Sequence, residues 1–356
     1  MGQKKSGSLL LGCDRIFWLL SAQFECKNEN ICYSRVSCGI GRAITMDILW
    51  AIAKTIRPRQ WLKNIALFAP ITFSGLLFND GLFLIVAQAV VVFTILASSV
   101  YIFNDLLDYK ADRLHPFKKK RPIASGELPV PMAILALITG LTVGLYWATK
   151  INVFFFWACL TYIVIQAAYT LWLKRIPIID VITIASGYIL RVYAGGLAIG
   201  AHMDVWFLLT VVSASLFLAV GKRRSELTLL KASATGQVRA TLKHYTESLL
   251  DIYTAMFSTA TWLTYALFSF NHPPIIPKGR VLTLMADLPL TLVSAKLMMI
   301  TTPFVIYGVM RYLLLIYERN EGESPERIVL SDKPILITAM IWGTLVIGLI
   351  YYVGAN

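Results

Sequence analysis

The chain has 356 residues, 57% of them hydrophobic and 15% charged, with a mean hydropathy of +0.66. That composition excludes an ordinary soluble enzyme and describes a polytopic all-α membrane protein whose helices pack in lipid. The net charge of +13 sits in short segments beside apolar runs, which directs it toward lipid headgroups and phosphates and away from nucleic acid.

Residues 1–45 hold Cys13, Cys26, Cys32 and Cys38, no long apolar run and little periodicity. Their spacings fit no zinc pattern. Phe17-Trp-Leu-Leu is too short for a signal-peptide core. This stretch is expected to be an N-terminal extension, disordered or dispensable, with residues 46–356 as the catalytic transmembrane domain. Apolar runs then predict spans at roughly 61–78, 82–103, 130–149, 151–171, 178–200, 204–220, 250–270, 296–316 and 334–353, about nine helices. Lysines and arginines crowd alternate connections. They include Lys54, Arg57, Arg59 and Lys63, then Lys110 to Arg121, then Lys174 and Arg175, then Lys222 to Lys243, then Arg311 to Lys333. The opposite connections carry only Lys150, Lys278, Arg280 and Lys296. The bias predicts a cytoplasmic N-terminus, an external C-terminus and a cavity open to the cytoplasm.

Asn104-Asp105-Leu-Leu-Asp108-Tyr-Lys-Ala-Asp112 closes the second predicted span. Asp105, Asp108 and Asp112 stand at i, i+3 and i+7, so one helical face carries all three. A merely solvated helix end would not require that alignment. Clustered carboxylates repel one another unless a cation joins them. With Lys118-Lys119-Lys120-Arg121 close behind, the pattern suits Mg²⁺ held against a diphosphate. Asp105, Asp108 and Asp112 are therefore the expected catalytic and metal-binding residues. Arg121-Pro122-Ile-Ala-Ser125-Gly126 breaks the chain and is expected to cover a polar site.

Near the first span, Gln60, Lys63 and Asn64 fall on adjacent helical positions and face a cavity, while Trp61 anchors the interface. Arg57 and Arg59 read equally well as interface anchors. In the fifth span, Asp180 and Arg191 are ionisable residues inside an apolar run, expensive unless functional or paired. Eleven residues put them on one face but roughly 16 Å apart, so each needs its own partner. Gly187, Gly195, Gly196 and Gly200 allow close helix approach. After the sixth span, Lys222 and Glu226 stand at i and i+4. They form either a helical ion pair or, with Arg223, a phosphate site. Cys159 reads as packing.

Three further stretches join these: Arg57-Pro-Arg-Gln60-Trp61-Leu-Lys63-Asn64, Gly221-Lys222-Arg223-Arg224-Ser-Glu226 and Pro325-Glu326 to Asp332. Together with the aspartate motif, Lys120-Arg121-Pro122 and Leu190-Arg191, they resemble the UbiA prenyltransferase superfamily. Within it, the chain is most similar to the decaprenyl-phosphate phosphoribosyltransferase group. The resemblance covers about 50–356. It implies a UbiA-type helical bundle in the cell membrane. It implies Mg²⁺-dependent transfer of 5-phosphoribose from phosphoribosyl diphosphate to a polyprenyl phosphate, with diphosphate released. The implied substrate-binding residues are Gln60, Lys63, Asn64, Asn104, Lys120, Arg121, Tyr169, Lys174, Asp180, Arg191, Lys222, Arg223 and Glu226. Membrane lipid is the implied surroundings, and assembly into a homo-oligomer is compatible with it. Aromatic prenyltransferases of the superfamily carry a second DxxxD motif. Here Asp180 is followed at i+4 by Ile184, which weakens the alternative of prenyl transfer from a polyprenyl diphosphate to an aromatic acceptor. A transporter would place its charges near mid-bilayer, whereas these cluster at helix ends.

Overall fold

The computed structural model describes residues 48–114, 118–232, 242, 244–275, 296–319, 328 and 330–353. By its contacts the chain divides into Met1–Trp50 and Ala51–Asn356, and the helical bundle is the second of these. Residues 1–45, Lys243 and the Pro325 to Arg327 stretch lie outside the described residues.

The bundle opens with a 3₁₀ stretch, Pro58–Phe68, that runs into α1, Ala69–Phe73. Then follow α2 (Asp80–Leu114), α3 (Pro122–Ser125), α4 (Val130–Ile151), α5 (Val153–Leu171), α6 (Ile179–Ile199) and α7 (Val205–Ala232). The bundle ends with α8 (Glu247–Asn271), α9 (Thr302–Arg319) and α10 (Lys333–Ile347). The described residues form no strand.

Seven described helices are long and apolar enough to cross a membrane. All seven coincide with predicted spans. The other two predictions form differently. The 61–78 run becomes the 3₁₀ stretch and one short helix, because Pro58 sets the entry, Arg57 turns left-handed at φ 52° and Pro70 removes a donor. The 250–270 run does become α8, but Thr254, Ser258, Thr261, Thr264 and Ser269 line its buried side and dilute its apolar character.

In lipid the hydrophobic effect does not drive helices together, so fit and small residues decide the packing. α2 packs along α4, α7 along α8, and α6 lies between α5 and α7. Gly144 on α4 sits against Leu96 of α2. A methyl on Gly195 of α6 would run into the carbonyl of Leu67, so glycine there lets the 3₁₀ stretch lie directly on α6. One core joins Leu67, Phe93, Leu96, Phe155 and Tyr162. Another joins Val181, Ala185, Val220, Leu227, Tyr245 and Leu250. Ile138, Val143, Trp157 and Val164 point outward, as residues facing acyl chains should.

α2 positions the chemistry. Its segment 82–114 carries no glycine or proline, so nothing interrupts the helix where the apolar run gives way to the aspartates. Ser98, Asp105 and Asp112 are all buried and seven residues apart. The carboxylates thus continue the stripe that, deeper down, is the core.

Candidate active site

Three cations from three separate segments converge on the aspartate face. Arg57, just ahead of the 3₁₀ stretch, puts Nη2 2.5 Å from Asp105 Oδ1. Arg121 lies 3.1 Å from the same oxygen and 2.6 Å from Asp112 Oδ2, bridging the two carboxylates. Lys174, between α5 and α6, reaches Asp108 Oδ1 at 3.2 Å. Asp105 and Asp112 are buried, while the Asp108 side chain keeps 35% of its surface exposed. The electrostatic requirement seen in the sequence is met here by side chains.

Local backbone explains how each cation arrives. Arg121 precedes the one-turn helix α3, and Gly126 closes that turn at φ 88°, a conformation glycine takes without penalty. Arg113 Nε donates to the Ala124 carbonyl at 3.1 Å and ties α3 back to α2. Among the described residues only Arg57 and Ile178 are non-glycine residues at positive φ. Each costs on the order of 1–3 kcal/mol. Arg57 itself holds Asp105, and Ile178 follows Lys174 by four residues.

A second ionic group is closed. Arg223 of α7 and Asp180 of α6 are both 0% exposed, with Nε and Oδ2 2.7 Å apart. Arg223 also pairs with Glu226 and donates to Tyr169 Oη at 2.9 Å. Tyr245 donates to Asp180 Oδ1 at 2.7 Å and accepts from the Ile178 N–H at 2.6 Å. Burial pushes the Tyr245 hydroxyl above the ordinary tyrosine value, with Asp180 adding to it, so it stays a proton donor. In this group Glu226 meets Arg223 at i−3, where the sequence had allowed a pair with Lys222 at i−4. Lys222 is half-buried.

A third group lies deeper. Arg191 donates to Asn64 Oδ1 at 2.9 Å, to the Gly187 carbonyl and to Tyr162 Oη at 3.1 Å. Its guanidinium also faces the Phe93 and Tyr162 rings at 5.4 and 5.1 Å. Asn64 in turn donates to Thr94 at 2.8 Å. This node joins the 3₁₀ stretch to α2, α5 and α6. Asp180 and Arg191 thus have separate partners, as their spacing required.

Of the remaining expected residues, Lys63 lies over the Tyr188 ring at 5.6 Å, Gln60 and Asn104 are half-buried, and Lys120 is exposed. Sequence reasoning left out three participants. Arg57 had been weighed as an anchor, and neither Tyr162 nor Tyr245 had a motif to mark it.

The aspartate oxygens are hard donors of the kind Mg²⁺ takes. Among the described residues no three Asp, Glu, His or Cys side chains are gathered as a ready ligand set; Arg57, Arg121 and Lys174 hold these oxygens. A cavity of about 350 Å³ lined by Phe73, His202, Met203, Phe207 and His272 lies beside Gly75. Gly75 precedes α2, whereas Asp105 lies roughly 37 Å along that helix from Asp80.

Carboxylates and cations stand together at the end of membrane-length helices, an arrangement chemically suited to phosphate-bearing ligands. The sequence profile of the UbiA prenyltransferase family matches residues 64–327, and the chain belongs to that family, as an intramembrane transferase. It is similar to the decaprenyl-phosphate phosphoribosyltransferase of Mycolicibacterium smegmatis, at 35% identity over 83% of this chain and 91% of that one. It is also similar to the enzyme of the same name from Corynebacterium glutamicum, at 33% over 84% and 86%. A UbiA homolog from Archaeoglobus fulgidus, solved bound to DMAPP and Mg²⁺, shares the fold with a TM-score of 0.59. It is 20% identical over 85% of this chain and 99% of that one.

Proposed function

We propose that this transferase moves 5-phosphoribose from phosphoribosyl diphosphate to a polyprenyl phosphate and releases diphosphate. The observation that carries the reading is the fate of Asp180. In a two-motif prenyltransferase the later aspartates would serve a second metal. Here Asp180 is fully buried against Arg223 and Tyr245, and Ile184 stands where a second carboxylate would be. One carboxylate cluster is left to serve one diphosphate. The two phosphoribosyltransferase relatives, each matched over more than four fifths of this chain, supply the donor and acceptor.

Asp105, Asp108 and Asp112 would hold Mg²⁺. When bound, the metal supplies positive charge to the departing diphosphate. The chain's own residues do the rest. Arg57, Arg121 and Lys174 already stand at the carboxylates, and each can turn a donor toward a phosphate oxygen as the aspartates take the metal. Lys63 and Lys120 extend the basic lining. The bond from ribose C1 to the diphosphate oxygen breaks with oxocarbenium character at C1. A new bond forms from C1 to an acceptor phosphate oxygen. That oxygen is already anionic, so no general base is required and no proton moves. Fixed cations facing the departing charge are the main source of acceleration. The loop lysines and arginines support a cytoplasmic site, and residues 1–45 are proposed to be dispensable for it.

The test is transfer of radiolabel from phosphoribosyl diphosphate into the organic phase with a polyprenyl phosphate and Mg²⁺. Label with the native chain, and none with Asp108→Ala, is the expected result. Absence of lipid-linked label, with prenylation of an aromatic acid by the same preparation, would replace this reading with the prenyltransferase one.

A further inference from the structure

We infer that Tyr245 is a positioning residue for the diphosphate site, acting through the strained turn at Ile178 to hold Lys174 on Asp108. The inference rests on the reading that the aspartate face binds a metal diphosphate.

The path is short and continuous. Pro177 keeps Ile176 extended at φ −101° and ψ 118°. Ile178 must then reverse at φ 69° and ψ −50°, so that α6 can begin at Ile179. A β-branched residue at positive φ does not hold that conformation unaided. The Ile179 N–H closes the turn on the Pro177 carbonyl at 2.8 Å, and the Tyr245 hydroxyl adds the side-chain hold by accepting the Ile178 N–H at 2.6 Å. It is itself fixed by donating to Asp180 at 2.7 Å, whose other oxygen is ion-paired 2.7 Å from Arg223 Nε. The 3₁₀ turn Leu173–Arg175, which carries Lys174, comes immediately before. Lys174 N–H groups lie 3.2 and 3.5 Å from the two oxygens of Asp108.

One buried hydroxyl therefore links two regions. It comes from the segment just ahead of α8, yet it decides where the α5–α6 turn places its lysine. Asp108 is the most exposed of the three aspartates, and Lys174 is the only cation shown on it among the described residues. A shift of Lys174 changes the charge offered to an incoming diphosphate without touching Asp105 or Asp112.

The experiment is calorimetric titration of magnesium diphosphate into the full chain in detergent, a probe shared by phosphoribosyl and prenyl donors. Tyr245→Phe should weaken binding about tenfold, the effect of losing one charge-assisted hydrogen bond. Ile178→Gly added to Tyr245→Phe should restore affinity to within about threefold of native, because glycine takes the turn without support. In a Lys174→Ala background, Tyr245→Phe should change affinity by less than about twofold, since the route is already cut. A purely structural tyrosine would instead weaken both backgrounds equally. Equal weakening, or native affinity in Tyr245→Phe alone, overturns the inference. Failure of the native chain itself to bind magnesium diphosphate overturns it together with the proposed reaction, which distinguishes the two failures.

Discussion

The aspartate cluster and the Asp180–Arg223 group contain the same kinds of side chain and behave as opposites. Around Asp108 that carboxylate and the three cations keep contact with water, and the cations come from loops and short turns. Around Asp180 the Asp180–Arg223 pair is fully enclosed, and the partners come from α5, α6, α7 and the segment before α8. Burying an ion pair gains little, because desolvation offsets most of the attraction, but removing one partner is severe. An open cluster has the reverse character: its members can exchange partners at small cost. On the proposed function, the closed group would fix geometry and the open one would exchange ligands.

The sharpest way to break that contrast is to remove Arg223. Arg223→Ala should destabilise the fold by about 3–5 kcal/mol, leaving Asp180 charged and unpaired. Thermal unfolding in detergent reads this, and replacing both residues with apolar ones of similar size should recover most of the loss. An unchanged melting temperature would mean that the closed group is not structural. Asp108→Ala should do the converse. Transfer should fall by about 10²–10³-fold, as when a charge aimed at the transition state is lost, while the melting temperature hardly moves.

Arg121→Ala tests the boundary, since Arg121 bridges two buried carboxylates. It should cost about 1–3 kcal/mol in stability and also raise the donor KM, and added magnesium should recover part of the stability. An effect on KM alone would place Asp105 and Asp112 wholly on the open side of the comparison. The smallest effect belongs to the Lys54–Glu127 pair, 3.1 Å apart with both side chains 47% exposed. Breaking it with Lys54→Ala should change stability by less than about 0.5 kcal/mol.

These differences were unequally legible in the sequence. The aspartate face could be read directly, because a spacing of three and four within a helix fixes direction. The seven long apolar helices could be read for the same local reason. What met the aspartates could not. Arg57, Arg121 and Lys174 come from segments far apart in sequence, and Arg57 reaches Asp105 only through a left-handed turn that no composition announces. Lys222 and Arg223 are neighbours with equal charge, and only the packing of α7 decides which is buried and takes Glu226. Tyr245 carries no pattern at all, since its role follows from the strain at Ile178. The first predicted span misled because its apolar content is real, while its prolines keep it from forming one long helix.

The length of α2 has one further consequence. Its 35 residues measure roughly 52 Å, against a hydrocarbon layer of about 30 Å. The helix outruns the oily layer, and with the uncharged run Ile85 to Phe103 filling that layer, Asp105 to Asp112 fall in the overshoot. On the proposed function, a polyprenyl phosphate would carry its headgroup near that height. It would reach the aspartates by drifting sideways, with no need to be lifted from the bilayer. The membrane would then set the depth of the headgroup, the protein would have no need to gauge the tail, and the encounter would be a search in two dimensions.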